Sequence, residues 1–217
     1  MKIAYSGFLS ILMMFLAISA FPQETEFNSN VKQKALDEFL AQDQKVEVKL
    51  NSLALIGIVN PAFEIRIAPE ITIQTEALCS FYFTNFLGTG KPFALGSLFV
   101  EGRYYTRNAF HGFYLGPVIG GGVFKMNKSI YPMYSGYEKN SYQHGCNVMA
   151  GLSLGYHILL SHHWSMDLNI AGGYQLTTYQ GYKKIKPEDP YEEYVGVNYS
   201  AEWLPMFKGG IYIGYRL

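Results

Sequence analysis

The sequence predicts an all-β chain, an eight-stranded antiparallel transmembrane β-barrel with a polar, side-chain-filled lumen. Three observations lead there. Eight stretches alternate apolar and polar residues with a period of two, so each reads as a strand with two different neighbours. Their connections alternate between short and longer, as periplasmic turns and outer loops do. Beyond the N-terminal segment no apolar run could cross a bilayer as a helix, so any span must be made of strands.

The strands follow in order. The first is expected at about 46–58, with Val46, Val48, Leu50, Ala54, Ile56 and Ile58 on one parity and Glu47, Lys49 and Asn51 on the other. Asn60-Pro61 supplies the break. The second, 62–68, sets Phe63, Ile65 and Ile67 against Glu64 and Arg66, and Pro69 ends it. The third, 70–83, sets Ile71, Ile73, Ala77, Cys79, Phe81 and Phe83 against Glu70, Thr72, Gln74, Glu76, Ser80 and Tyr82. The fourth, 93–105, has Ala94, Leu98, Val100 and Tyr104 facing away from Ser97, Glu101 and Arg103.

The fifth, 113–124, is glycine-rich and contains Pro117, which implies a bulge or a locally broken ladder. The sixth, 145–159, sets Val148, Ala150, Leu152, Leu154 and Tyr156 against Asn147, Gly151, Ser153 and His157. After a tight turn at Ser161 to His163, the seventh, 164–177, sets Trp164, Met166, Leu168, Ile170 and Tyr174 against Asp167, Asn169, Gln175 and Thr177. The last opens around Tyr199. At its end Phe207, Ile211, Ile213, Tyr215 and Leu217 alternate with Lys208, Gly210, Tyr212, Gly214 and Arg216.

This pattern puts Tyr104, Phe113, Tyr156, Trp164 and Tyr215 at the periplasmic rim and Phe81, Phe83, Tyr174 and Trp203 at the outer rim, as aromatic girdles. Leu217 takes the terminal apolar position that the barrel-assembly machinery is expected to read.

The composition agrees. The 217 residues carry 17 basic and 17 acidic side chains, which removes the electrostatic case for a nucleic-acid partner. The 18 Tyr and 22 Gly suit interfacial rings and close strand contacts. Residues 1–20 read as a signal peptide. Lys2 forms the basic start, Phe8 to Ile18 the apolar run, and Ala17, Ser19 and Ala20 the small residues of a cleavage site. Residues 21–44 read as a periplasmic lead-in and 45–217 as the barrel. No cysteine precedes Cys79, so no lipid anchor is expected; Cys79 and Cys146 fall on outward faces of strands that are not neighbours, which argues against a disulfide.

The inward charges are Glu47, Glu64, Glu70, Glu76, Glu101 and Asp167 against Lys49, Arg66, Arg103, Lys208 and Arg216. An eight-stranded interior is just wide enough for side chains to fill it. The charges should therefore pair across the lumen, giving a plugged interior in place of a solute pore.

Other chemistry is weak. The Gly116–Gly122 stretch lacks the Lys-Ser/Thr of a phosphate loop. His162 and His163 lack a third metal ligand. Ser141, His144 and the acids of the last outer loop could form a lipid-hydrolysing triad only if the fold brought them together. Glu188, Asp189, Glu192 and Glu193 match no cation-loop spacing. Tyr131, Tyr134, Tyr137 and Tyr142 suit either a partner surface or strands rising above a bilayer. No catalytic, cofactor or metal residue is assigned.

The stretches VKLNSLALIGIVNPAFEIRIAPEITIQTEA, FVEGRYY and LSHHWSMDLNIAGGYQL resemble a domain-of-unknown-function family of small outer-membrane barrels common in Bacteroidota. Lys49, Asn51 and Pro61 match its first strand and turn, Glu101, Arg103 and Tyr104 its fourth strand, and Trp164, Met166 and Asp167 the start of its seventh. The resemblance covers 46–217. It implies an outer-membrane location and supplies no activity; Pro117 departs from the family pattern.

The expected protein is thus a monomer in outer-membrane lipid with a structural, surface-binding or assembly role. Its partners would be the assembly machinery and a surface partner at the outer loops. An outer-leaflet lipid enzyme and a soluble lipocalin-like barrel are the alternatives. The second would need apolar residues pointing inward.

Overall fold

The computed structural model describes residues 45–130, 140–184 and 189–217. The expected signal peptide and lead-in, Tyr131, Tyr134, Tyr137 and Glu188 lie outside the described residues.

The described strands are β1 (Val46–Asn51), β2 (Ile58–Val59), β3 (Pro61–Ala68), β4 (Ile71–Tyr82), β5 (Phe93–Tyr105), β6 (Gly112–Met126), β7 (Ser141–Leu159), β8 (Trp164–Lys183) and β9 (Glu192–Arg216). Pairing is antiparallel throughout, from β3 on β4 through β8 on β9, and β9 returns to β1 with Glu47 opposite Arg216. β2 and β3 lie along β4 in one register, Ile58 facing Ser80 and Ala62 facing Glu76. They act as one strand interrupted at Asn60, and the sheet closes as an eight-strand ring. No described helix is long and apolar enough to cross a membrane.

The first strand is shorter than its alternation suggests. Asn51 Oδ1 accepts from the Leu53 amide at 3.0 Å and starts a 3-10 turn, Ser52–Ile56. Gly57 ends the turn at φ 77°, a left-handed conformation that glycine adopts without steric cost. The chain thus reverses at 52–57, and Asn60-Pro61 lies inside the next strand, with Pro61 opposite Leu50. Ile58, expected outside, is buried.

At the end away from the termini, β7, β8 and β9 run longer than expected. Tyr142 stacks on its cross-strand partner Tyr182, with ring centroids 5.0 Å apart, and Lys183 faces Glu192. These pairs carry the ladders past Thr177 and bring Glu192 and Glu193 into strand.

Pro117 does break one ladder. Pairing of β5 with β6 runs to Glu101–Val118 and resumes at Tyr104–Leu115 in the same register, while the β6–β7 ladder continues through Pro117–Leu152. No bulge is needed, because a proline lacks only its own N–H. The gap also seats Gly116, where a Cβ would stand 1.6 Å from the Gly102 carbonyl oxygen.

A second proline resets a parity. Between Lys208–Ala171 and Leu204–Gly173 the β8–β9 register shifts around Pro205. Phe207 consequently turns inward with Lys208, against its expected outward place, and stacks on Phe99 at 6.0 Å. Glu70, expected in the lumen, is exposed in the turn between β3 and β4.

Candidate functional site

Strand alternation delivers the remaining acids to the ring interior, where Glu47, Glu64, Glu76, Glu101 and Asp167 are buried. Lys49 sits among them. Its Nζ donates to Glu64 and, at 2.7 Å, to Asp167, and it lies 3.4 Å from Glu47. Arg103 extends the cluster. Nη1 reaches Glu64 at 2.8 Å and Asp167 at 2.7 Å, and Nε reaches Glu101 at 2.7 Å. Lys208 joins Glu101 at 2.7 Å to Glu76 at 2.5 Å.

Neutral donors satisfy further carboxylate lone pairs. Thr72 and Tyr105 donate to Glu64, Tyr114 to Asp167 and Tyr212 to Glu76. Glu47 meets His157 Nε2 at 2.9 Å and the Ser165 hydroxyl. Arg103 also lies over the Tyr114 ring, 4.3 Å from its centroid. Buried ions persist only when paired and hydrogen-bonded in this way. With Tyr114 on β6 and His157 on β7, the network ties all eight strands of the ring together across the interior. It engages its acids with cations and hydroxyls and presents no displaced nucleophile.

Two expected members sit at the margin. Arg66 keeps the inward parity and is half-buried. Arg216 donates to the carbonyls of Ser161 and His162, at 3.4 and 3.0 Å, fastening the closing strand to the β7–β8 turn. That turn accounts for the adjacent histidines, since the His163 ring stacks on Tyr215 at 5.4 Å. On the terminus side, Phe110 turns from the β5–β6 connection into the interior and packs against Tyr105 and His157 at 6.4 and 6.1 Å. Sequence reasoning missed this plug; its signal is Ala109-Phe110 amid the polar residues of the turn.

The other half of the interior is different. Phe99, Val118, Met149 and Ala171 form a buried apolar cluster joined by Leu78 and Phe207. Beside it, toward the end away from the termini, lies a cavity of about 90 Å³. Leu95, Phe124 and Leu204 continue its apolar wall. Lys128, Glu202, Asn147, Gln175 and Thr177 add polar groups, with Lys128 Nζ 3.0 Å from Glu202. The expectation of a wholly polar lumen is therefore corrected. Apolar inward residues look like outward ones in a one-dimensional pattern. A usable signal is apolarity on both parities of the start of β5, from Phe93 through Val100.

Ser141 and His144 do not form a catalytic pair. They stand three residues apart on β7, with Ser141 buried and His144 exposed on the opposite face. Gly116–Gly122 is continuous strand and offers no helix N-terminus for phosphate. A Cβ at Gly120 would lie 2.2 Å from the Phe99 ring, so that glycine makes room for an interior side chain. Among the described residues no group of three His, Cys, Asp or Glu could hold a metal. Cys79 and Cys146 are both free thiols.

Residues 28–216 match a family model described as "Protein of unknown function (DUF3575)". No curated protein matches the chain.

Proposed function

We propose, from the premise that this chain belongs to the DUF3575 family of unknown function, that it is an integral outer-membrane β-barrel with a structural, surface-binding or assembly role, neither an enzyme nor a solute pore. One observation carries the reading. The ring buries ions and leaves apolar side chains outside, the reverse of a soluble domain. Val48, Phe63, Ile73, Val100, Leu115, Leu152, Ile170 and Ile213 are exposed on successive strands. Contiguous apolar surface of that extent needs a covering, and lipid covers a closed ring on all sides.

The aromatic spacing agrees with a bilayer. Trp164 and Tyr174 are exposed and ten steps apart on β8. At about 3.3 Å per residue and the usual tilt of 35–45°, that rise is about 25 Å, the height of an outer-membrane apolar band. Both termini of the ring lie at one end with its shorter turns, in keeping with a periplasmic side. The basic start and apolar run of residues 1–20 support export. A closed ring offers no open strand edge to a second copy, which favours a monomer. The paired network and the Phe110 plug argue against conduction.

The test is the orientation of β4 in lipid. In a Cys79→Ser/Cys146→Ser background, Ile71→Cys should react with a lipid-soluble maleimide and be shielded from a water-soluble one, while Thr72→Cys should react with neither. Folded protein that reacts at both positions from water, or mature protein recovered soluble from the periplasm, would overturn the proposal.

A further inference from the structure

We infer that the outward face of β6 to β9, at the end away from the termini, binds one lipid with an anionic, phosphorylated headgroup. Its phosphate sits on Lys125 and His144, and its acyl chain lies in the groove beneath them. The inference rests on the outer-membrane reading and deepens it.

The phosphate is argued from a cross-strand pair. Lys125 on β6 stands directly opposite His144 on β7, in the same ladder that pairs Phe113 with Tyr156. All four side chains share the outward parity, and twelve steps separate the two pairs. At about 3.3 Å per residue and a tilt of about 35–45°, those steps rise about 30 Å. Phe113 and Tyr156 are exposed aromatics at the terminus-side rim. Lys125 and His144 therefore stand about 5 Å beyond an apolar band of about 25 Å, at the level of lipid headgroups. Lys125 Nζ lies 4.8 Å from the Tyr142 ring centroid, and Tyr142 stacks on Tyr182, which holds the ammonium at that height. Their outward cross-strand neighbours are Ala94 and Gln180, neither of them acidic. Glu193, the acid opposite Tyr182, is on β9, two strands from β7. Among the described residues neither Lys125 nor His144 is in an ion pair. A phosphate supplies the missing anion and accepts from both the ammonium and the imidazole N–H.

The acyl chain is argued from the surface below. Cys146 is the next outward residue of β7 after His144. From it the rows Cys146–Thr178–Tyr199 and Val148–Leu176–Ala201 cross β7, β8 and β9. The small side chains Cys146, Thr178 and Ala201 sink the floor between the larger Val148, Leu176 and Tyr199, and a groove of about 550 Å³ results. That lies within the roughly 300–1,000 Å³ of ligand clefts. The groove opens outward, and Leu152 and Ile119 are exposed on the apolar belt beyond it, so a chain longer than the groove continues over that belt. A rim lysine that only carries its ammonium out of lipid needs no groove leading to it.

The experiment uses the mature protein refolded into dimyristoyl-phosphatidylcholine nanodiscs that contain dimyristoyl phosphatidic acid as a minor component. Folding is verified first by the heat-modifiable gel shift, and the lipids retained by the released protein are counted by native mass spectrometry. Failure to fold in lipid would strike the barrel reading. Folded protein that retains the two lipids in their bulk proportion would strike this inference alone.

One phosphatidic acid per protein is expected, retained in preference to phosphatidylcholine. Lys125→Glu should lower that retention at least about tenfold, since it reverses a charge at the headgroup level. Lys91→Glu makes the same change of charge elsewhere, on a lysine whose Nζ donates to Ser129 at 2.8 Å, and should leave retention unchanged. Equal losses from the two variants would mean diffuse attraction and would overturn the inference. Cys146→Trp fills the groove without touching Lys125 and should also weaken retention; retention at the wild-type level would overturn the placement of the chain. Displacement of the lipid by inorganic phosphate would assign the pair to a free anion and overturn the lipid as its occupant.

Discussion

Lys49 on β1 donates to Asp167 on β8 at 2.7 Å although 118 positions separate them in the chain. The bond spans the interior, since β9 lies between those strands in the ring. Lys49→Met keeps the length of the side chain and removes its charge. Glu64 and Asp167 would retain Arg103, but Glu47 would lose a neighbouring cation. Removing one partner from a buried ionic cluster costs about 3–5 kcal/mol. The folded gel band of Lys49→Met should therefore disappear at a lower temperature than that of the wild type. The double variant Lys49→Met/Glu47→Gln should recover part of the loss, because it neutralises the acid that the missing cation leaves behind.

Gly116→Ala is expected to disrupt the β5–β6 pairing. Its Cβ would stand 1.6 Å from the Gly102 carbonyl, a backbone atom that cannot swing aside. The penalty should be at least about 3 kcal/mol, at the upper end for overpacking. Gly96→Ala is the control, since its nearest neighbour is a Val123 methyl at 4.0 Å. That change should be neutral or stabilise by up to about 1 kcal/mol, because alanine gives up less backbone entropy on folding. Urea midpoints of the two variants in identical vesicles would compare them.

The alternation of β3, β4 and β5 is legible in the sequence because it is local. So are the inward Glu64, Glu101, Arg103 and Asp167, whose charge sets them apart from their neighbours. The turn at 52–57 is less legible, because Asn60-Pro61 is the stronger breaker on paper, while the actual reversal rests on the Asn51 cap and left-handed Gly57. The inward turn of Phe207 depends on a register shift opposite Pro205, a property of two strands together. The cavity was hidden for a different reason. Phe99, Phe124 and Met149 are apolar whichever way they face, so only their pairing register reveals that they line an interior.

Phe110 is the larger of two buried residues, with Ala109, in the turn between β5 and β6, and its φ is 64°. Phe110→Ala should destabilise by about 3–5 kcal/mol through lost burial beside Tyr105 and His157. Phe110→Gly deletes the same ring but relieves a left-handed backbone that costs a side-chain-bearing residue about 1–2 kcal/mol. The glycine variant should therefore be the more stable of the two. Both should still block ions in a planar-bilayer recording, because Arg103 and Lys49 remain across the interior. Open-channel currents from the glycine variant would refute the network as the barrier.

The closing seam gives the last prediction. β1 meets β9 along a short ladder from Glu47–Arg216 to Asn51–Tyr212. Tyr215 packs edge-on against Trp164 at 5.1 Å, and Arg216 holds the carbonyls of Ser161 and His162. Removing Tyr215 to Leu217 takes out two of the seam's pairs, the ring contact with Trp164 and the clamp on the turn. It also exposes the edge of β1, whose short length leaves little else to pair. The truncated chain should fail to reach the protease-resistant, heat-modifiable form in vivo. Arg216→Lys should reach that form with reduced efficiency, because the shorter lysine loses the reach by which Nη2 holds both turn carbonyls. Surface assembly of the truncation at the wild-type level, followed by labelling of an epitope in the 83–92 loop on intact cells, would show that the seam does not govern insertion.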